Sequence, residues 1–496
     1  VERELVVTLP ERPAGWNPLY ARSWSEWVVK DLFLAGLWHL DQQLVPHPEL
    51  AIELPTRSNG GISSDGRTLT IYLRSDLTWS DGEPITAQDV VFTYEMAIEP
   101  GNHAATRFPY SAVDEIVAVD DRTIRVVFSE PFGPWPATLF PYILPRHVLE
   151  PVFEQVGSLD RTATDWWPWA VSGPFVPVGE DEGGFVLAAN PSYWRGGPGI
   201  DRVRLQVAPD AGDRLAAVSE GRESLAPFLW PEPVPEAHLP AGGEIHLAPS
   251  GLVETLFFNL DPGTGHPALR EAAVRQAVAG AVDRRAVCAL LTPGQAAPAV
   301  GLWDETRYAG QASRGPAVQE ASVEEALDRA GWRDGDGDGV REREGVRLSF
   351  RYAVPGAGVN RAAAQAAVAD MLRRAGIEVH LVEWGDPVGW DLGQWAEAPP
   401  GYPDPDDPRW LCAEAGVGGM NRSHVCDEDL DRLIYTQAGV SDLSERAGLI
   451  YQIEALNRQQ GWWVPLCRLF DVWVAGGASD RLRLWRGGPF WNAWAW

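Results

Sequence analysis

The sequence predicts an α/β protein built from more than one lobe. Three observations lead there. A chain of 496 residues exceeds what one hydrophobic core organises. Residues 1–130 read mostly as strands, and from about residue 255 strands and helices alternate, the pattern of an α/β layer.

Taken in order, 5–9 is a short apolar strand, and 69–73 alternates apolar and polar after the turn Ser64-Asp65-Gly66. Residues 113–119 and 123–128 flank Asp120-Asp121-Arg122 as a hairpin. A helix starts at Thr86, with Asp89 in its first turn and Val90, Tyr94, Ala97 and Ile98 on one apolar face; Pro100-Gly101 ends it. Pro267 opens a second helix, in which Ala273, Ala277 and Ala281 recur at helical spacing as far as about residue 291. Ser322 and Glu325 form a capping box. A helix over 361–375 leads into a strand over 378–382, and helices over 427–437 and 443–459 meet near Gly439. No internal repeat or low-complexity linker separates the lobes, so they must interleave along the chain.

Acidic residues outnumber basic ones by 69 to 41, a net charge of −28. Such a field disfavours nucleic acid and anionic membrane as partners. No run reaches the ~18–20 apolar residues of a membrane span. Lys30 is the one lysine, which reads as coding bias. The 24 tryptophans serve core packing, and a minority are candidates for the walls of an aromatic pocket.

The four cysteines form no CxxC, so neither a zinc site nor a redox motif is expected. Cys412 and Cys426 close a short loop, and a disulfide there, worth about 3 kcal/mol, is expected in an oxidising compartment. Free buried thiols are the alternative, and the pairing of Cys288 with Cys467 is left open. No GxSxG elbow or HExxH motif occurs; a P-loop and an SxxK motif both need a lysine that this chain lacks in context, and the histidines have no metal-ligand spacing. The one constellation with metal chemistry is Asp334-Gly-Asp336-Gly-Asp338-Gly339-Val340. Asp334, Asp336 and Asp338 offer carboxylates, Val340 its carbonyl, and Glu344 or Glu342 a further oxygen to a structural calcium ion. Gly345 stands where an EF-hand loop would place its bidentate Glu, and a glycine turn held by Asp side chains is the competing reading.

Trp79-Ser80-Asp81-Gly82-Glu83-Pro84-Ile85-Thr86-Ala87-Gln88-Asp89-Val90-Val91-Phe92 resembles the signature of the family 5 solute-binding proteins, receptors for oligopeptides, dipeptides and nickel in bacterial ABC importers. Ile143-Leu144-Pro145-Arg146-His147, Ser172-Gly173-Pro174-Phe175, Asn190-Pro191-Ser192-Tyr193-Trp194 and His266-Pro267-Ala268-Leu269-Arg270 resemble further family segments, in the family's order. The resemblance implies a periplasmic-binding-protein-like type II fold (cluster C): two α/β lobes joined by two crossing strands, plus a β-rich insertion. Lobe I would comprise 1–38, 170–255 and 472–496, the insertion 39–169 and lobe III 256–471, with crossing strands near 256–260 and 464–470.

The resemblance further implies a monomeric, non-enzymatic substrate-binding protein. It would capture a small solute by hinge closure and deliver it to ABC permease subunits, with no cofactor required. An extracytoplasmic location, periplasmic or lipid-anchored, goes with it; the chain starts at valine without a leader, so the signal segment is expected to be absent from it. An oligopeptide is the expected ligand. In peptide-binding relatives a lobe III carboxylate in a Trp-x-x-Asp-x-x-x-Pro segment pairs with the ligand amine. Counted back from Pro408 that position is Asp404; counted forward from Trp395 it is Ala398, so the segment departs from the pattern by an insertion. Trp390, Trp395 and Tyr402 are candidate pocket walls, and Ser23, Trp24 and Trp27 occupy an early segment that faces ligand in relatives. An oligosaccharide receptor and a ligand-sensing subunit are the alternatives within this frame, and a secreted hydrolase is the alternative from another class.

Overall fold

The structure is a computed structural model that describes residues 3–496 except 106, 166–167, 220–222, 231, 233, 235–242, 293–296, 305–322, 356–358, 386–388, 398–409, 416–420, 441–442 and 478–480. The chain divides into two compact units, Val1–Ser250 with Phe470–Trp496, and Gly251–Leu469. It passes from one to the other within two long strands, Gly243–Phe258 and Trp463–Gly476.

In the first unit Glu4–Leu9 lies between two parallel neighbours, Ser224–Phe228 and Arg202–Val207. Antiparallel Gly184–Ala189 and Phe175–Asp181 extend one side, and residues 472–476 pair antiparallel with Ser224–Phe228 on the other. Buried Leu5, Val7 and Leu9 alternate along the first strand and pack into the core with Phe33, Phe175 and Leu205. A separate antiparallel sheet joins Thr68–Tyr72, Thr123–Phe128 and Val113–Asp120, with the hairpin turn at Asp120-Asp121-Arg122 as the sequence predicts.

The signature segment proves to be a structural knot. Trp79 is fully buried, and the helix Ala87–Ile98 starts after Thr86, whose hydroxyl donates to Asp89 (3.2 Å). The buried Asp89 carboxylate accepts the N–H groups of Thr86 (2.8 Å) and Arg146 (3.0 Å), while Asp81 pairs with His147 (2.8 Å). Two segments far apart in sequence thus satisfy each other's polar groups. The sheet-bearing unit owes its internal register here to hydrogen bonds that no pairwise pattern along the chain announces.

In the second unit, residues 253–258 pair antiparallel with Leu392–Glu397, which lies parallel to Ser349–Ala353 and through it to Glu378–Val382. The helix Val359–Arg374 connects the last two, a β-α-β unit as expected for parallel strands. The helices Glu428–Ala438 and Leu443–Gln460 follow, the first capped by Asp427. The helix expected to run unbroken from Pro267 is instead three pieces: a 3-10 turn Pro267–Arg270, Ala272–Ala281 and Arg284–Leu291. Asp283 causes the second break, because its carboxylate accepts the N–H groups of Arg285 (3.0 Å) and Ala286 (3.1 Å) and caps a new helix. Of the capping box at Ser322 and Glu325, Ser322 lies outside the described residues; the helix Val323–Arg329 follows it. Disulfides join Cys412 to Cys426 and Cys288 to Cys467.

Each unit carries a buried, charged anchor on a crossing strand. In the second, the fully buried Glu254 takes both Arg361 nitrogens (Nε 3.0 Å, Nη2 2.9 Å) and the Gln394 amide (2.9 Å). In the first, the fully buried Asp471 takes Arg486 (Nε 2.8 Å, and Nη2) and the Trp230 N–H (2.9 Å). Bidentate pairing of this kind offsets the cost of burying the charge, whereas one partner left alone is strongly destabilising.

One further buried acid has no such partner. Glu454 accepts the Leu302 N–H (2.7 Å), and burial, reinforced by the charge of Asp304, pushes its carboxyl from the ordinary 4.5 up to about 7. A folded state that holds a proton the unfolded chain releases loses stability as pH rises through that window, here from about 4.5 to about 7, and no further above it. The loss is on the order of 3 kcal/mol. Melting curves of the wild type and Glu454→Gln across this range are expected to differ by a pH-dependent offset that levels off above pH 7; a constant offset would refute the assignment.

Candidate functional site

The early segment singled out in the sequence folds around one carboxylate. Ser23 is the N-cap of the helix Trp24–Phe33 and forms a capping box with Glu26. Glu26 also reaches back along the chain: its oxygens accept the N–H groups of Ala14 (3.0 Å), Arg22 (2.7 Å) and Ser23 (3.1 Å). The loop 14–23 is therefore wrapped on the first turn of the helix, whose N-terminal dipole offsets the negative charge.

This loop closes one side of a cavity of about 280 Å³, and His103, Asp160, Ala163 and Thr164 close the other. Gly15 permits the approach, since a Cβ there would fall 1.6 Å from the Ala163 carbonyl oxygen. The Asn17 amide donates to Thr162 (2.8 Å) and fastens the two walls together. Asp160 accepts both the His103 backbone N–H (2.9 Å) and its ring Nδ1 (2.5 Å). Burial pushes the Asp160 carboxyl up, but these His103 bonds and the nearby Tyr20 hydroxyl outweigh it and hold the group below the usual carboxylate range. Burial and the Asp160 charge in turn push the Tyr20 phenol up, so it stays protonated as a donor. Tyr20, only 9% exposed, lines the cavity, and its hydroxyl is turned to Asp160 as a hydrogen-bond donor. Arg22 and His103 are exposed at the same cavity.

Of the three residues chosen from this segment, none lines the cavity. Ser23 is occupied in capping, and the half-buried Trp24 and Trp27 donate their indole N–H groups to the carbonyls of Arg486 (2.8 Å) and Gly487 (3.2 Å). Trp24 packs on Trp473, while Lys30 lies over the Trp27 ring. The lining comes instead from their neighbours Tyr20, Arg22 and Glu26 and from the distant His103 and Asp160, which no sequence spacing connects.

In the second unit Trp395 sits on the strand Leu392–Glu397, opposite Thr255, and is buried against Phe257 in a stacked contact (4.2 Å). Trp390, half-buried, meets it edge-on (5.6 Å), and Trp384 does the same (5.2 Å). Trp410 and Trp463 extend the cluster. Asp404 and Tyr402 lie outside the described residues.

The Asp-Gly loop brings Asp334, Asp336 and Asp338 together with one oxygen each within 4.8 Å, the one such cluster among the described residues. Part of its acceptor capacity is used locally. Asp334 takes the N–H groups of Gly337 (2.7 Å) and Gly339 (3.0 Å), Asp338 takes that of Val340 (2.9 Å), and Arg347 pairs with Asp338 (2.6 Å). Glu344 is not brought to the cluster. It occupies the turn between Glu342–Arg343 and Val346–Arg347 with φ of 53°, and Glu342 is the acid that reaches the loop, accepting the Gly335 N–H (2.7 Å). The oxygen donors fit a hard cation, which would have Arg347 as its competitor.

Residues 17–452 match the family of bacterial extracellular solute-binding proteins, family 5, middle region. The chain belongs to this family. Protein XP55 of Streptomyces lividans is 29% identical over 464 residues, 90% of this chain and 80% of the relative. Di/tripeptide-binding protein 4 of Pseudomonas aeruginosa is 26% identical over 445 residues, 83% of this chain and 80% of the relative. The crystal structure of an ABC transporter substrate-binding protein from Sinorhizobium meliloti superposes with a TM-score of 0.77 at 23% identity, covering 99% of both chains, which shows the fold. The α/β type II binding-protein fold, the solute-binding family and its extracellular or periplasmic setting are thereby shown; members bind peptides or related small ligands and work with ABC permeases. No helix among the described residues is long and apolar enough to cross a membrane.

Replacing Glu26 by Ala strands three backbone N–H groups and removes half of the capping box. A loss of about 1–3 kcal/mol in the stability of the first unit is expected by denaturant titration. Faster amide exchange at Ala14, Arg22 and Ser23 should accompany it, and unchanged exchange at these three would show that Glu26 does not organise the loop.

Proposed function

We propose that this chain is the substrate-binding component of an ABC importer for oligopeptides, and that it captures its ligand by hinge closure and releases it chemically unchanged to the permease. The observation that carries the reading is the family match over residues 17–452, and the di/tripeptide-binding relative supports the peptide class. Ligand that contacts more protein in a closed form than in an open one shifts the population toward closure by that difference in affinity. The two strands through which the chain passes between its units are where such a hinge would lie.

In this reading Asp404 takes the peptide's ammonium group, and Trp390, Trp395 and Tyr402 contribute aromatic wall. Calorimetric titration with peptides of two to five residues and with short glucans tests the class: heat from peptides alone is expected, and heat from glucans alone overturns it. Asp404→Asn is expected to weaken peptides with a free amine about 10–100-fold, the worth of one charge-assisted hydrogen bond, and to leave N-acetylated peptides unchanged.

A structural calcium ion at Asp334, Asp336 and Asp338, with Val340 as a carbonyl donor, is the second element of the proposal, supported by the convergence of the three carboxylates. Calcium is expected to raise the melting temperature over that in chelator, by about 2–4 °C for each kcal/mol of linkage. Arg347→Ala should widen the gap, because it removes the competing cation; superimposable curves in calcium and chelator for both proteins exclude the ion.

A further inference from the structure

We infer that the Cys412–Cys426 disulfide is a redox-sensitive switch. A dithiol reductant opens it while Cys288–Cys467 stays closed, and its opening loosens the aromatic wall that Trp410 and Trp395 share in the second unit. This rests on the peptide-binding reading above for the role of that wall, and adds to it a means of turning capture off.

The two bridges differ in access. Cys288 and Cys467 are fully buried, one on the helix Arg284–Leu291 and the other on the crossing strand Trp463–Gly476. Cys426 is exposed and Cys412 half-buried. Thiol–disulfide exchange requires a thiolate to reach a sulfur atom. The inner bridge is therefore reached only after the unit opens, and the outer one in the folded protein.

Short contacts connect the outer bridge to the aromatic cluster. Trp410 stands two residues before Cys412 and is 2% exposed; it stacks on Phe257 (5.7 Å) and meets Trp463 (4.4 Å). Phe257 in turn stacks on Trp395. Within the bridged loop the buried Asn421 amide donates to the carbonyls of Leu411 (3.0 Å) and Val425 (2.7 Å), the residues just before the two cysteines. One side chain thus holds both ends of the loop at the spacing the disulfide sets. The Ser423 carbonyl accepts the Leu260 N–H (2.9 Å), which ties the same loop to the chain beyond Gly243–Phe258. His424 lies between these contacts with φ of 53°, in the left-handed region that a residue with a Cβ enters at a cost. With the bridge open His424 is free to relax, and the Asn421 bonds on either side of it are lost. Cys412 keeps a second hold, its N–H on the Asp431 carboxylate (3.0 Å), so the loop loosens without unfolding.

The reaction is a balanced exchange. A thiolate of the dithiol attacks the exposed Cys426 sulfur, the S–S bond breaks, and Cys412 leaves as a thiolate that takes a proton from water. The second thiol of the reductant attacks the mixed disulfide and frees Cys426. Two electrons pass to the protein, and the reductant ends as a disulfide.

The test uses the full chain, dithiothreitol as the dithiol, and iodoacetamide labelling of each cysteine followed by mass spectrometry. Cys412 and Cys426 are expected to be labelled at least about tenfold sooner than Cys288 and Cys467. In protein reduced at the outer bridge alone, peptide affinity by calorimetry is expected to fall about tenfold, as it does when one molecule in ten holds the competent wall. Reoxidation should restore it. The double variant Cys412→Ser, Cys426→Ser should bind like the reduced protein, and reversible reduction of the wild type decides the matter where that variant does not fold. Equal labelling of the two bridges, or unchanged affinity after selective reduction, overturns the switch and leaves the peptide reading standing. Absence of binding by the oxidised protein overturns the peptide reading instead. Amide exchange at Asn421 and Val425 then decides the switch without a ligand: faster exchange on reduction supports it, and unchanged exchange overturns it.

Discussion

The Asp471–Arg486 pair governs the placement of the first helix in the first unit. Asp471 is fully buried on a strand that crosses between the units, and its charge is tolerable only because Arg486 and the Trp230 N–H are drawn onto it. Holding Arg486 fixes the turn around residues 485–488, and the carbonyls of Arg486 and Gly487 then receive the indoles of Trp24 and Trp27. Those two indoles set the position of the helix Trp24–Phe33, whose first turn carries Glu26 and with it the loop 14–23. A buried ion pair on the crossing strand is in this way connected, through three consecutive sets of contacts, to the wall of the cavity.

The second unit repeats the device with different parts. Glu254 holds Arg361 and Gln394, the Tyr352 hydroxyl donates to the other end of the same amide, and Gln394 is the immediate strand neighbour of Gly393 and Trp395. A network in which each polar atom is satisfied stiffens a strand more than apolar packing does, because displacement of any member strands a buried group. Both crossing strands therefore carry a rigid anchor close to where the chain passes from one unit to the other.

How much of this was legible in the sequence depended on the range of the interaction. The helix at Thr86, the hairpin at Asp120-Asp121-Arg122 and the cap at Asp427 are fixed by residues within a few positions of one another, and each is where local chemistry puts it. The break at Asp283 was equally local but hidden, since the Ala and Val spacing continues across it and only the cap distinguishes two helices from one. The family signature was readable as a string, yet its physical role, Asp89 on Arg146 and Asp81 on His147, depends on a partner segment some 60 residues away. The cavity was not legible at all. Tyr20, His103 and Asp160 belong to three segments brought together by tertiary folding, and the tryptophans that drew notice through size and family position spend their polar atoms on packing.

Burial of acids is the recurring cost in a chain of net charge −28. Around the cavity the acids are compensated at contact range: Glu26 is offset by three N–H groups and a helix terminus, and Asp160 by His103 and the Tyr20 hydroxyl. The single lysine is likewise spent internally, buried against Asp31 and the Trp27 ring. Arginine serves Glu254 and Asp471. An arginine cannot be deprotonated by a partly desolvated site and offers a carboxylate two parallel bonds, so the composition that began as coding bias also sets which cation can anchor a buried acid.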